Sequence, residues 1–317
     1  MNLSPEHRTS MVIAFDGESK CGKTTFTKEV ALGAQYQKDL YSGLFLSDVL
    51  REGLRTDGAL DYFEQVGFDT ISTISAGNIF RAAAHYTKVA EGGGKIIKAF
   101  SQTDAPLLRS MLDEEGMIDF LQNDDAVGKH VSEVAQFAGV QALCGVLFCE
   151  DIQRSYFENS GHNLVIVDAR DPVGHMTRNN LLGTSKGKIL PLSVLSVYIE
   201  TPTHVAASRL KGSLEDNTKV VAERRLADAT RAELPVVAPN NTTPIREWSS
   251  TIPFWDGVSI ASLGEPLSTL HITNGEERSL EYIKYVGDVL AEAATMTAYA
   301  IDSHLKIPIP HQQFSPF

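Results

Sequence analysis

The run from Met11 to Phe15 is apolar throughout, and Gly17-x-x-x-x-Gly22-Lys23-Thr24 follows it almost at once, with a helix-forming segment, Thr25 to Ala34, behind. This strand, loop and helix constrain the chain more than any other stretch. So short and so apolar a run predicts a strand buried on both faces, as in parallel sheets. The first amides of the helix that follows have no intrahelical partners and carry the positive end of its dipole, so the loop is built to face an anion. Gly17 and Gly22 permit backbone angles that a side chain forbids. Lys23 adds a point charge for phosphate, and the Thr24 hydroxyl is a Mg²⁺ ligand of the right hardness. On this reading Gly17, Ser19, Lys20, Cys21, Gly22, Lys23, Thr24 and Thr25 contact the phosphates of ATP. An ordinary Gly-rich turn is the competing reading, and the flanking strand and helix argue against it.

The chain has 317 residues, 43% of them apolar, enough for one large or two modest domains. A formal charge of −12 argues against a surface made for tight phosphodiester binding, which needs clustered Lys and Arg, although a basic pocket within an acidic shell is allowed. Cys21, Cys144 and Cys149 form no Cys-x-x-Cys pair, so neither a disulfide frame nor a zinc site is expected. Cys144 and Cys149 read as buried apolar filler. With a polar Met1 to Ser10 and no apolar run of membrane-spanning length, the expectation is a soluble cytosolic protein with no membrane partner.

Further along, residues 35–70 hold two amphipathic segments, Ser47 to Leu54 and Ala59 to Val66, and read as an insertion. Ser75 is expected to cap a helix over Ala76 to Ala90, stopped by Gly92-Gly93-Gly94. Residues 95–129 suggest a small subdomain, and helical periodicity covers Val131 to Asn159 with an interruption near Ala138-Gly139. Strands are expected at Asn163 to Asp168, Val194 to Ile199 and Leu270 to Thr273. Between them fall a helix over Thr203 to Leu210 and a charged helix over about Lys219 to Leu234, stopped by Pro235. Residues 238–268 read as a second insertion, and Glu277 to Ala300 as a long terminal helix before a Pro-containing tail. Strands alternating with helices predict a three-layer α/β fold with a central, mainly parallel sheet.

Four stretches besides the loop place basic residues suggestively: Gly77-x-x-Phe80-Arg81, Val131-Ser132-x-x-Ala135, Asp168-Ala169-Arg170-Asp171, and Arg224-Arg225-x-x-Asp228-x-x-Arg231-x-x-x-Pro235. Arg224, Asp228 and Arg231 stand at i, i+4 and i+7, one stripe of one helix. That spacing also suits an exposed ion-pair ladder. In this order, and with the loop at their head, the motifs resemble cytidylate kinase, a nucleoside monophosphate kinase of the P-loop class, over about two thirds of the chain. The resemblance implies a P-loop NTPase fold made of residues 1–91, a nucleotide-binding subdomain over 92–145, and a second core half over 146–317 with a helical lid at about 209–234.

It further implies ATP and Mg²⁺ as cofactors and a pyrimidine (deoxy)nucleoside monophosphate as acceptor. Phosphoryl transfer is mostly positioning plus cationic stabilisation, and planar guanidinium forks suit phosphate oxygens. Carried over position by position, Lys23, Arg170, Arg224 and Arg231 are the catalytic cations. Arg81, Arg170 and Arg231 would grip the acceptor's own phosphate. Arg224 would reach the transferring group when the lid closes and expels water. Asp168 would hold the Mg²⁺ hydration shell opposite Thr24. Asp228 would bond the sugar, while Phe80, Ser132, Gln141 and Asp171 complete the acceptor site.

Departures from the family pattern concern the acceptor. Gln141 stands where the family commonly has an Arg that reads cytosine, Arg225 replaces the first Asp of the lid motif, Ala169 replaces Gly, and Glu18 and Lys20 replace small loop residues. An alternative acceptor is therefore the hydroxymethyl group of a modified pyrimidine, free or within DNA. A third reading is a nucleotide-binding switch; no Asn-Lys-x-Asp or Thr-Lys-x-Asp guanine reader occurs in the chain.

Overall fold

The computed structural model describes residues 10–18, 20–41, 68–90, 100, 102–158, 163–179, 192–229, 242–244 and 269–275, and helical positions at 281–284, 286–288, 290, 291 and 294. Strands β1 (Ser10–Gly17), β2 (Thr70–Ser75), β3 (Asn163–Asp168), β4 (Leu192–Glu200), β5 (Thr242–Pro244) and β6 (Thr269–Thr273) form one sheet. Their order is β2-β3-β1-β4-β6-β5, and every neighbouring pair is parallel. The chain is thus an α/β protein with a parallel sheet.

Each parallel pair needs a crossover, and helices supply most of them. Helix α1 (Lys23–Tyr41) follows β1, and α2 (Ala76–Ala90) follows β2. Helices α3 (Ala105–Leu112), α4 (Met117–Asn123), α5 (Asp125–Val134) and α6 (Ala138–Glu158) lead to β3. Beyond it come α7 (Pro172–Arg178), then α8 (Thr203–Ser208) and α9 (Leu214–Ala229) after β4. The helical positions at 281–284, 286–288, 290, 291 and 294 are labelled α10.

Strand alternation sorts the core into two layers. Met11, Ile13 and Phe15 of β1 pack with Phe26 and Val30 of α1 and with Val286 and Leu290 of α10. Val12 and Ala14 pack on the other face with Ile79 and Ala83 of α2 and Leu147 and Phe148 of α6. Each large apolar side chain buried in this way contributes about 1.5–3 kcal/mol. Cys144 and Cys149 lie in the second layer, and all three cysteines are buried and unbridged.

Several expectations need correction. Thr70–Ser75 is a strand, at the β2 edge of the described sheet, and Ser75 is its last residue as well as the residue before α2. Helix α1 continues to Tyr41, so the first insertion begins later than residue 35; Ser47 to Leu54 and Ala59 to Val66 lie outside the described residues. Part of the second insertion, Thr242–Pro244, pairs with β6 in the sheet. The charged helix begins at Leu214, five residues before the expected start. The expected boundary at 145/146 falls inside α6. Residues of α2 to α6 share one continuous cluster with the sheet, whereas α8 and α9 meet on a small core of their own, Ala206, Ala207 and Val221 with Leu210.

Candidate functional site

From β1 the chain crosses to the β2 and β3 side of the sheet, and from β3 it returns to β4 on the other. The carboxyl end of β1 is therefore a topological switch point, where open α/β sheets bind ligands. The glycine loop begins there. Gly17 has φ +139°, and a Cβ at that position would stand 2.3 Å from the Ile199 carbonyl oxygen, so the loop is pressed against β4 too closely for any side chain. Lys20 itself adopts a left-handed φ of +64°, uncommon for a residue with a Cβ. The buried Cys21 offers its carbonyl to two anchors, the Thr201 hydroxyl at 3.0 Å after β4 and the Asn274 amide at 2.8 Å after β6. Thr25 and Phe26 N–H groups bond to the Gly22 carbonyl, starting α1.

The ammonium of Lys23 lies over this loop, 2.7 Å from the Gly17 carbonyl oxygen and 3.2 Å from that of Glu18. The Thr24 hydroxyl donates to Asp168 Oδ2 at 3.0 Å, across 144 residues of sequence. A hydroxyl beside a carboxylate fits Mg²⁺, which takes one or two protein oxygens and completes its octahedron with phosphate and water. Asp16, the residue before Gly17, is half-buried and accepts the Gly17 N–H at 2.6 Å. Burial, the largest influence, holds its carboxyl above the ordinary range, although the Gly17 N–H, the Lys23 charge and the Asp171 N–H pull it down.

Cations converge on the same place from three elements. Partial desolvation lowers the Lys20 ammonium, and the neighbouring charges of Arg224 on α9 and Arg81 on α2 lower it further. Arg81 is lowered by burial and partly restored by Asp168. Two guanidinium groups close enough to lower the Lys20 ammonium form with it a site that favours an anion. Arg170 is half-buried just beyond β3, next to Ala169, whose N–H donates to the Phe15 carbonyl at 3.2 Å.

Other positions have different surroundings. Phe80 packs in the core layer with α2. Gln141 is buried; its Nε2 donates to the Ala135 carbonyl at 2.7 Å, bracing the α5–α6 turn, and its Oε1 has no hydrogen-bond partner. Asp171 caps α7, accepting the Gly174 N–H at 3.0 Å and pairing with Arg178 at 3.0 Å. Arg231, Ser19 and the side chains of Ser132 and Asp228 lie outside what is described.

Sequence reasoning missed three groups here. Asp16 carries the same signal that singled out Asp168, an acid at the end of a buried strand. Arg209 donates to the Lys20 carbonyl at 3.3 Å. Arg225, noted only as a departure, ties α9 to the loop: its Nε lies 2.9 Å from Glu18 Oε2, and its other nitrogens donate to the Thr203 hydroxyl at 3.0 Å and the Thr201 carbonyl at 2.7 Å.

Among the described residues no helix is long and apolar enough to cross a membrane. Comparison with protein-family models and with curated proteins finds no match.

Proposed function

We propose that this chain is an ATP-dependent phosphotransferase acting on a pyrimidine nucleotide. The observation that carries the reading is the Thr24–Asp168 contact, which joins the start of α1 to the end of β3 beside the Lys23 ammonium. The loop amides and Lys23 would bind the β- and γ-phosphates, and Thr24 and Asp168 would hold Mg²⁺, directly and through water. Mg²⁺ held there would supply positive charge to offset the negative charge that develops on the phosphate oxygens. Arg81, Arg170, Arg224 and Arg231 would supply the remaining cationic stabilisation, and Lys20 adds to the field that draws an anionic substrate in. Helix α9, on its small core with α8, would serve as the lid.

The family resemblance favours the phosphate of a pyrimidine (deoxy)nucleoside monophosphate as acceptor, with the diphosphate as product. A second acceptor, the hydroxymethyl group of a modified pyrimidine, free or in DNA, is favoured by one observation: the half-buried carboxylate of Asp16 at the switch point. The formal charge of −12 weighs against DNA.

The test is transfer of ³²P from γ-labelled ATP with Mg²⁺ to a panel of pyrimidine nucleotides, comparing the natural chain with Lys23→Ala. Labelled product that disappears in Lys23→Ala supports the reading. Tight GTP binding without transfer to any acceptor would replace it with a nucleotide-dependent switch.

A further inference from the structure

We infer that the acceptor atom is a neutral alcohol oxygen and that the carboxylate of Asp16 removes its proton as the phosphoryl group arrives. The inference rests on the phosphotransferase reading and decides between its two acceptors.

Two carboxylates stand at the ends of adjacent parallel strands, and strand alternation aims them apart. Phe15 pairs with Asp168 in the β1–β3 register, so Asp16 is one residue further along. Leu164 and Ile166 of β3 belong to the layer containing α1, and Asp168 shares their parity, which agrees with its bond to Thr24 on α1. Val12 and Ala14 of β1 belong to the opposite layer, with α2 and α6, and Asp16 shares their parity. One carboxylate thus bonds Thr24, and the other lies on the face that carries α2 and α6.

The groups around Asp16 are Lys23 at the start of α1, Asp171 before α7, and Tyr198 on β4, whose phenol is pushed up by burial and by acids that include Asp16. The Gly17 N–H engages one carboxylate oxygen, and a carboxylate offers about four lone-pair sites in all. Its raised affinity for protons brings it nearer the operating pH, as a general base requires.

This arrangement discriminates between acceptors. A phosphate monoester, with a second pKa of about 6, is largely ionised at neutral pH and needs no base. An alcohol is a poor nucleophile until its proton leaves. In the step, the acceptor O–H bond breaks and its proton passes to Asp16, while that oxygen bonds to the γ-phosphorus. The bond from the γ-phosphorus to the bridging oxygen breaks, ADP leaves with the electron pair, and Asp16 returns the proton to water.

The experiment offers γ-³²P-ATP and Mg²⁺ with pyrimidine monophosphates lacking a hydroxymethyl group, the same monophosphates bearing one, and duplex DNA containing the hydroxymethyl base. The natural chain, Asp16→Asn and Asp16→Glu are compared, with ATP affinity measured separately. The expected result is label on the hydroxymethyl oxygen. Asp16→Asn should lower kcat about 10²–10⁴-fold and abolish the acidic limb of the kcat/KM profile, while ATP affinity changes less than about twofold. Partial recovery in Asp16→Glu would show that the proton-accepting group matters. Label in the terminal phosphate of a diphosphate overturns the inference. So does full activity in Asp16→Asn, or loss of ATP affinity in step with transfer, which marks Asp16 as a brace for the loop. ATP binding without label on any acceptor also overturns it, whereas failure to bind ATP sinks the phosphotransferase reading beneath it.

Discussion

Replacing Arg225 by Met tests whether α9 is fastened to the glycine loop. The Arg225 side chain is 13% exposed and its Glu18 partner 29%, and the guanidinium also donates to Thr203 and Thr201. Hydrogen bonds to charged groups each contribute about 1.5–3 kcal/mol, so the two to Thr203 and Thr201, with the Glu18 ion pair beside them, would reach several kcal/mol if they added. They do not add, because Arg225 had to be dehydrated, and Glu18 regains water once its partner is gone. Breaking a fully buried pair costs about 3–5 kcal/mol. With Glu18 partly wet, we expect a loss of about 2–3 kcal/mol for Arg225→Met. Met keeps most of the stem volume, which isolates the polar term. The assay is urea denaturation followed by circular dichroism for Arg225→Met, Glu18→Gln and the double variant. A coupling energy near 1 kcal/mol between the two positions is expected. Coupling within about 0.3 kcal/mol of zero, or a loss from Arg225→Met below about 0.5 kcal/mol, would refute the argument. Arg224 precedes Arg225 and lies near Lys20, so phosphoryl transfer should fall in Arg225→Met as well.

Lys23→Ala should lower transfer by about 10²–10³-fold or more while leaving the circular dichroism spectrum unchanged, because one half-buried loop cation is not core packing; an unfolded variant would contradict this. Gly22→Ala places a Cβ 2.7 Å from the Asn274 amide nitrogen at φ +100°, so about 1–3 kcal/mol of strain should appear as a lower urea midpoint, and an unchanged midpoint would contradict the loop geometry. Buried His175 has its pKa lowered to about 4, chiefly by desolvation and then by Arg178. Below pH 6.5 the unfolded chain binds a proton that the folded chain refuses, so stability falls between pH 6.5 and about 4, by about 3 kcal/mol in full. His175→Gln should remove that share of the slope in denaturation at pH 7 and pH 5, and an identical slope in both proteins would reject the assignment.

What could be read from the sequence was whatever a short apolar run and its turn residues encode. β1, β3, β4 and β6 are flanked by such signals, and each was placed within a few residues. Thr70–Ser75 escaped because every residue of β2 is half-buried or exposed and four of its six residues are Thr or Ser, so no apolar run announces it. Thr242–Pro244 escaped because three residues of Thr and Pro resemble a loop. Thr24 and Asp168 were predicted to share a metal, and their contact across 144 residues is the part of the site most legible beforehand. Arg81, Arg224 and Lys20 were each named, but no spacing showed that both arginines would lie close enough to Lys20 to lower its ammonium. The rest depends on long-range geometry. That Arg225 reaches Glu18, that Gln141 turns toward Ala135, and that Asp171 caps α7 follow from where α9, α5 and α7 pack, which no local spacing fixes.

The most direct measurement is a crystal structure of the chain with Mg²⁺ and a non-hydrolysable ATP analogue. The account predicts the γ-phosphate within hydrogen-bond reach of the Lys23 ammonium, the metal on the Thr24 hydroxyl with Asp168 in its hydration shell, and the Arg81 and Arg224 guanidinium groups turned toward the phosphates. A nucleotide bound away from the Gly17 to Thr24 loop, or one at the loop with Arg81 and Arg224 facing solvent, would contradict it.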